Sequence, residues 1–169
     1  MKRIIASLFV LLLGVAGAQA ITAKNWQSHP AILEIRVLYN AVSADIAGGR
    51  LKRETRSTGY CPSWDLNRVK FTDARGTVRR YVKDGGSDDS SVKLEHTYDA
   101  QGRLRFVFVK AGAVNGTGLE VRFYFDVAGK RIWTDRRSSG PGYPFSDADF
   151  LRELVRDPQR AFNAPVPCR

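Results

Sequence analysis

The chain has 169 residues and a formal net charge of +10 at pH 7, with 27 lysines and arginines against 17 acidic residues. The length fits one ordinary domain, and no segment beyond the N-terminal leader is apolar enough for a membrane helix, which excludes a multidomain or multispan architecture. The excess of basic residues favours an anionic partner, namely nucleic acid, anionic lipid or acidic polysaccharide. A well-solvated surface is the alternative explanation.

Residues 1–20 have the pattern of a secretory signal peptide. Lys2 and Arg3 precede an apolar run that is too short to span a bilayer, and the letters AQA at its end fit a small-x-small cleavage site. The residue after the cut would be Ile21 rather than a cysteine, unlike the lipoprotein pattern. We expect residues 21–169 to form a single soluble domain in the periplasm or outside the cell.

The chain has two cysteines, Cys61 and Cys168. An even count in an exported protein favours a disulfide, which would tie the C-terminus to an early loop. Closing a loop of this size stabilises a fold by about 4–5 kcal/mol in the chain-entropy model. Two thiols used for metal or redox chemistry are the alternative, although the sequence contains no C-x-x-C motif.

The periodicity of apolar residues predicts an α+β fold. Residues 31–47 repeat at three- and four-residue spacing, as an amphipathic helix does. Residues 51–137 change to a period of two and contain six or seven strands with short connections, which indicates a curved antiparallel meander. A short helix is predicted over 146–157. The N-terminal helix is expected to cover the buried face of the sheet.

Strict alternation along the strands predicts one buried face and one wet face. Along the fifth strand, Leu104, Phe106 and Phe108 are assigned to the buried face, and Arg103, Arg105, Val107 and Val109 share the other. The far half of this strand is apolar on both faces, so we expect a second cover, either the C-terminal segment, a curl of the sheet or a ligand.

On the wet face, an apolar strip beside arginines could hold an amphiphile or an anionic polymer. Ion pairs with Glu95 and Glu120 are the alternative role for those arginines. The side chains expected to bind a ligand on this face are Lys93, Arg103, Arg105, Arg122 and Tyr124.

A turn motif, D-x-x-G, occurs three times, with its glycines at Gly76, Gly102 and Gly129. Asp opens such a turn by accepting backbone N–H bonds, and Gly supplies the positive φ that closes it. The middle copy, YDAQGRLRF, resembles the YD repeat of large bacterial secreted shell proteins, whose hairpins build a long β-sheet that encloses a cargo or binds sugars. The resemblance covers about ten residues per copy, with YDAQGRL at 98–104 the only full match, and it implies a β-meander in an exported protein.

Other chemistry-bearing residues give weaker signals. His96 lies on the apolar face of a strand, which is typical of a packed histidine rather than a base. Asp84, Asp88 and Asp89 could offer oxygens to Ca²⁺, but their spacing matches no EF-hand loop, and a solvated loop is favoured. The sequence shows no G-x-S-x-G, H-E-x-x-H, Walker or specific nucleic-acid motif. We therefore predict no catalytic residue and no cofactor.

These observations favour an exported, non-enzymatic binding or envelope-associated protein. Its expected partner is an anionic polymer, a lipid surface or an envelope protein. Two alternatives remain open at the level of the sequence, a small secreted hydrolase and an inhibitor or interaction module that presents its hairpin loops.

Overall fold

A computed structural model describes residues 19–57 and 65–165. The predicted signal peptide, except for its last two residues, lies outside these ranges, as do Cys61 and Cys168. The helices and strands of the described ranges are α1 (Pro30–Ala47), β1 (Lys52–Ser57), β2 (Asp65–Thr72), β3 (Val78–Gly86), β4 (Ser90–Tyr98), β5 (Leu104–Ala113), β6 (Gly118–Phe125), β7 (Arg131–Ser139), α2 (Asp147–Arg152) and α3 (Pro158–Asn163).

The seven strands form one sheet in the order of the chain, and every neighbouring pair is antiparallel. Short connections make this order natural, because a hairpin returns the chain to the strand it has just left. The predicted α+β architecture, an N-terminal helix on an antiparallel meander, is confirmed.

The three D-x-x-G turns have the same geometry. In each turn the aspartate Oδ1 accepts two backbone N–H bonds, from the second and fourth residues after it, at 2.9–3.0 Å. The glycine closes the turn with φ between 76° and 84°. The turns connect β2 to β3, β4 to β5 and β6 to β7, so they all lie at the same end of the sheet.

A register shift follows each of these turns, three residues after the glycine. The extra residue is Arg79 in the first hairpin, Arg105 in the second and Ile132 in the third. Such a bulge breaks the strict alternation of faces, so that Leu104 and Phe106 lie on opposite faces of β5 although they are two residues apart. Alternation therefore cannot be counted through the bulge.

The C-terminal segment covers one face of the sheet, here called the tail face. Val107, Val109 and Phe123 of this face are fully buried, and Phe150 and Phe162 from the two short helices pack against them. Arg68 fastens the segment, since its Nη1 donates to the carbonyls of Ala161 and Ala164 at 2.8 and 2.7 Å.

Helix α1 covers part of the opposite face, here called the helix face. Ile32 and Ile35 pack on Phe106 and Tyr124, and the ring of Tyr39 meets that of Phe106 at 5.1 Å. His29 caps the helix by accepting the N–H of Ala31. Further along, Ser43 accepts a hydrogen bond from Arg80 on β3, so α1 crosses the strands.

One sequence-based prediction is wrong. Val107 and Val109 lie on the tail face, because their register partners are Phe123 and Val121, and α1 covers the face that was expected to be wet. The C-terminal segment, one of the covers expected for these valines, does cover them.

The short helix predicted over 146–157 is present as α2, which ends at Arg152, and a second short helix, α3, follows it. Pro158 begins the second one, where a missing N–H costs nothing, and Asp157 caps it.

Candidate functional site

The part of the helix face that α1 leaves open consists of two cross-strand rows. Directly opposed residues on successive strands define each row, because the register is continuous from β1 to β7. The middle row, beside α1, is Thr55, Val69, Val82, Glu95, Phe108, Arg122 and Asp135. The outer row is Ser57, Asn67, Asp84, Lys93, Lys110, Glu120 and Arg137.

A groove of about 320 Å³ lies between α1 and these rows over β5 to β7. This volume is at the lower end of the range for small-molecule sites. We call it the aromatic–arginine groove after the side chains that dominate its lining, which are Trp26, Arg36, Tyr39, Phe108, Arg122 and Arg137.

Two of the three guanidinium groups lie over aromatic rings. The Arg36 carbon Cζ is 5.0 Å from the centre of the Trp26 ring, and that of Arg122 is 4.9 Å from the Phe108 ring. Stacking on a ring fixes the plane of a guanidinium and leaves its N–H edges for hydrogen bonds to a carboxylate, sulfate or phosphate. The groove thus combines flat apolar surfaces with oriented donors.

The positive charge of the groove is only partly compensated. Asp135 is the one acid among its lining residues, and it contacts Arg122 at 3.4 Å and Arg137 at 3.3 Å. Arg122 also donates to Glu120 at 2.6 Å, while Arg36 donates through Nη1 to the carbonyl of Gln27 at 3.0 Å. Three guanidinium groups against two carboxylates, Asp135 in the lining and Glu120 beside it, leave a net positive charge, which favours an anion.

Helix periodicity and cross-strand pairing bring these side chains together. Arg36, Tyr39 and Asn40 are three and four residues apart on α1, so they share one side of the helix. Phe108 and Arg122 are direct partners across β5 and β6. The groove therefore follows from the helix period and the hairpin register.

The structure separates the five side chains that were expected to bind a ligand. Arg122 lines the groove, and Lys93 lies in the outer row of the same open surface. Tyr124 is 2 % exposed beneath α1 and Trp26, and Arg105 is 5 % exposed. Arg103 lies at the second D-x-x-G turn, where it pairs with Asp99. Tyr124 nevertheless borders the aromatic–arginine groove together with Arg122. A binding role for all five residues stays a prediction.

Sequence reasoning missed the contribution of α1. Trp26, Arg36 and Tyr39 were not recognised because the helix was assigned to the other face of the sheet. Their spacing was a usable signal, since polar Arg36 and Asn40 with aromatic Tyr39 form a stripe next to the apolar stripe of the helix.

His96 is enclosed on the tail face. Its relative exposure is 0 %, and neither ring nitrogen makes a hydrogen bond of good geometry among the described residues, although the backbone of Tyr81 and Glu153 lies near the ring. Burial lowers the pKa of the His96 imidazole to about 4, because the charged form cannot be solvated there. A substrate cannot reach this ring without opening the core, so the hydrolase alternative gains no support from His96.

The acidic residues near the β3–β4 connection do not share one site. Asp84 lies within β3, whereas Asp88 and Asp89 follow in the connection. Asp89 accepts hydrogen bonds from Tyr143 Oη at 2.7 Å and Ser87 Oγ at 2.8 Å, and these lower its pKa. Across residues 19–57 and 65–165, no three acidic, histidine or cysteine side chains are arranged to hold a metal ion.

A scan against protein-family models, a search of curated proteins and a search of solved structures each found no match for the chain. Within the part of the chain that the structure describes, no helix has the length and apolar character needed to cross a membrane.

Proposed function

We propose that this is an exported, non-enzymatic binding protein that holds an anionic ligand in the aromatic–arginine groove. The observation that carries the proposal is the cluster of Arg36, Arg122 and Arg137 around aromatic rings, with Asp135 as the one acid in the lining. Charge-assisted hydrogen bonds to guanidinium groups are among the strong ones in proteins, and they are directional. The ligand is therefore an anion attached to an apolar or ring-bearing body.

The proposal is tested with naphthalene-2-sulfonate, an anion on a flat aromatic ring, and with neutral 2-naphthol for comparison. Because naphthalene rings absorb and emit light in the same range as tryptophan, binding is measured by isothermal titration calorimetry. We expect the sulfonate to bind, the naphthol to bind much more weakly, and the sulfonate affinity to fall as salt is added.

The deciding variant is the double substitution Arg36→Ala/Arg137→Ala. We expect it to weaken sulfonate binding at least tenfold, since each hydrogen bond to a charged group contributes about 1.5–3 kcal/mol. The matched control is Arg75→Ala/Arg152→Ala, which removes the same charge from side chains that are 71 % and 73 % exposed outside the groove. Equal affinities for the two double variants, or no binding by the wild type, would refute the proposal.

A further inference from the structure

A second groove, of about 530 Å³, lies along the same side of α1 over β1 to β4. Val69, Phe71 and Val82 contribute its apolar floor, and Ile46 from the last turn of α1 contributes its wall. Arg53 on β1 lies among its polar lining residues. We call it the aliphatic groove, because its exposed lining is more apolar than that of the aromatic–arginine groove.

The two grooves are neighbours along α1, and together we call them the trough. Phe108 of the aromatic–arginine groove is the direct cross-strand partner of Glu95 in the aliphatic groove. On the helix side, the ring of Tyr39 lies 4.4 Å from the guanidinium carbon of Arg80, and these two residues belong to different grooves. From Arg122 to the apolar floor on β2, the trough crosses four strand intervals, about 19 Å.

The chemistry of the trough changes along its length. In the middle row, β2 and β3 carry valines, whereas β6 carries Arg122. Glu95 lies between these halves, but Lys93 at 2.7 Å and Arg80 at 3.5 Å offset its charge. One end of the trough is therefore apolar at its floor, and the other end is electropositive.

We propose that the trough binds a single-chain anionic amphiphile, with its head group among Arg36, Arg122 and Arg137 and its alkyl chain on Val82 and Val69. The inference rests on the proposed function, because the head group uses the same anion site. It adds the class of ligand and a second binding region.

The distribution of charge argues against an anionic polymer as the occupant. A polymer would carry charges at regular spacing along the whole trough. Some of them would lie over the valine floor, where contact with apolar side chains removes them from water and disfavours them. An alkyl chain has no charge to place there, and it removes the apolar floor from water.

The test is a calorimetric titration with decyl, dodecyl and tetradecyl sulfate, each below its micellar concentration, because shorter chains would not reach from Arg122 across three to four strand intervals to Val82 and Val69. We expect the affinity to rise about fourfold for each methylene that becomes buried, until the apolar floor is covered. The double variant Arg36→Ala/Arg137→Ala should weaken all three ligands by the same factor. The variant Val69→Thr/Val82→Thr should reduce the dependence on chain length, because hydroxyl groups then line the floor.

Two further variants keep the result interpretable. Val37→Thr/Val114→Thr makes the same chemical change at exposed positions and should leave the chain-length dependence unchanged. If Val69→Thr/Val82→Thr fails to fold, as judged by circular dichroism, Ile46→Ser removes the helix wall of the aliphatic groove instead.

The outcomes distinguish the two proposals. Binding of naphthalene-2-sulfonate with no chain-length dependence for the alkyl sulfates would overturn the amphiphile inference and leave the anion site intact. A chain-length dependence that survives in the floor variant and in Ile46→Ser would place the alkyl chain elsewhere and would also overturn it. If neither kind of ligand binds, both proposals fail.

Discussion

The aspartates of the second and third D-x-x-G turns offer a matched pair of substitutions, Asp99→Ala and Asp126→Ala. Each aspartate accepts the same two backbone N–H bonds within its turn. Only Asp99 also contacts arginines, Arg103 at 2.7 Å and the buried Arg105 at 3.7 Å. The difference between the two variants therefore isolates the contribution of these ion pairs.

The turn bonds are common to both variants, and their loss should cost about 1–2 kcal/mol in each case. Asp99→Ala also removes a counterion from Arg105, which is 5 % exposed. Arg105 keeps a bond to the carbonyl of Phe125 and an ion pair with Glu34, but the Glu34 side chain is 66 % exposed and its pairing is screened by solvent. We expect Asp99→Ala to lose about 2 kcal/mol more than Asp126→Ala.

Urea unfolding at pH 7 measures both losses, and Asp99→Asn provides an intermediate case because it keeps an acceptor oxygen in the turn. Losses that agree to within about 0.5 kcal/mol would show that the buried pair contributes nothing. The effect should also depend on pH. Burial opposes ionisation of Asp99, but hydrogen bonds from Arg103 and Gln101 outweigh it and lower its pKa below 3.8.

A carboxylate whose pKa is lower in the folded state stabilises the fold above its unfolded pKa. This contribution is lost as the pH falls through the folded pKa. The excess loss in Asp99→Ala should therefore be constant from pH 7 to pH 5 and should shrink in stronger acid. An excess that grows as the pH falls would contradict the assignment.

Three other predictions follow from buried or covalent links. Because His96 is neutral when folded, the free energy of unfolding should fall by about 3 kcal/mol between pH 6.5 and pH 4 in urea titrations, and His96→Leu should abolish this part of the fall. Arg68→Lys should cost about 2 kcal/mol in urea unfolding and speed proteolysis within 158–163, since two carbonyl bonds to the tail are lost. If Cys61 and Cys168 form the predicted disulfide, iodoacetamide should add mass to the denatured protein only after reduction, and labelling without reduction would refute it.

The hairpins could be predicted from the sequence because their chemistry is local. An aspartate, a glycine three residues later and alternating apolar residues determine each turn within a window of ten residues. The positions of the turns also set the approximate ends of the strands. Helix α1 begins one residue from its predicted start. The number of strands and their order followed from short connections alone.

The contents of the groove could not be predicted in the same way. The face of the sheet that α1 covers can be predicted only if the pairing register is known. The bulge at Arg105 shifts this register by one residue, so counting alternate residues along β5 assigns the later side chains to the wrong face. Counting through the bulge placed Val107 with the basic residues and Phe106 on the buried face with Leu104. Once the register is known, Phe106 and Arg122 fall on the same face, and the groove appears between them and α1.

The bulge residues also explain why the turn motif repeats without itself forming the proposed site. Arg79 donates through Nε to the carbonyl of Tyr98, at 3.4 Å, and Arg105 donates in the same way to that of Phe125, at 3.2 Å. Each acceptor immediately precedes the aspartate of the next turn, so each hairpin is bonded to the one that follows it. The third hairpin has no successor, and its bulge residue, Ile132, packs in the apolar cluster beneath α1 instead.

Linking hairpins in this way fixes the register of the sheet from its turn end. The same register sets the positions of the middle and outer rows. The valine floor and the arginines are therefore aligned along α1 by the hairpins, and not by contacts between these side chains themselves. The D-x-x-G repeat thus has a structural role. The side chains that we propose to bind a ligand lie on the open surface beyond the bulges. Substitutions such as Arg36→Ala/Arg137→Ala should consequently change binding while leaving the hairpins intact, whereas Asp99→Ala should weaken the fold itself.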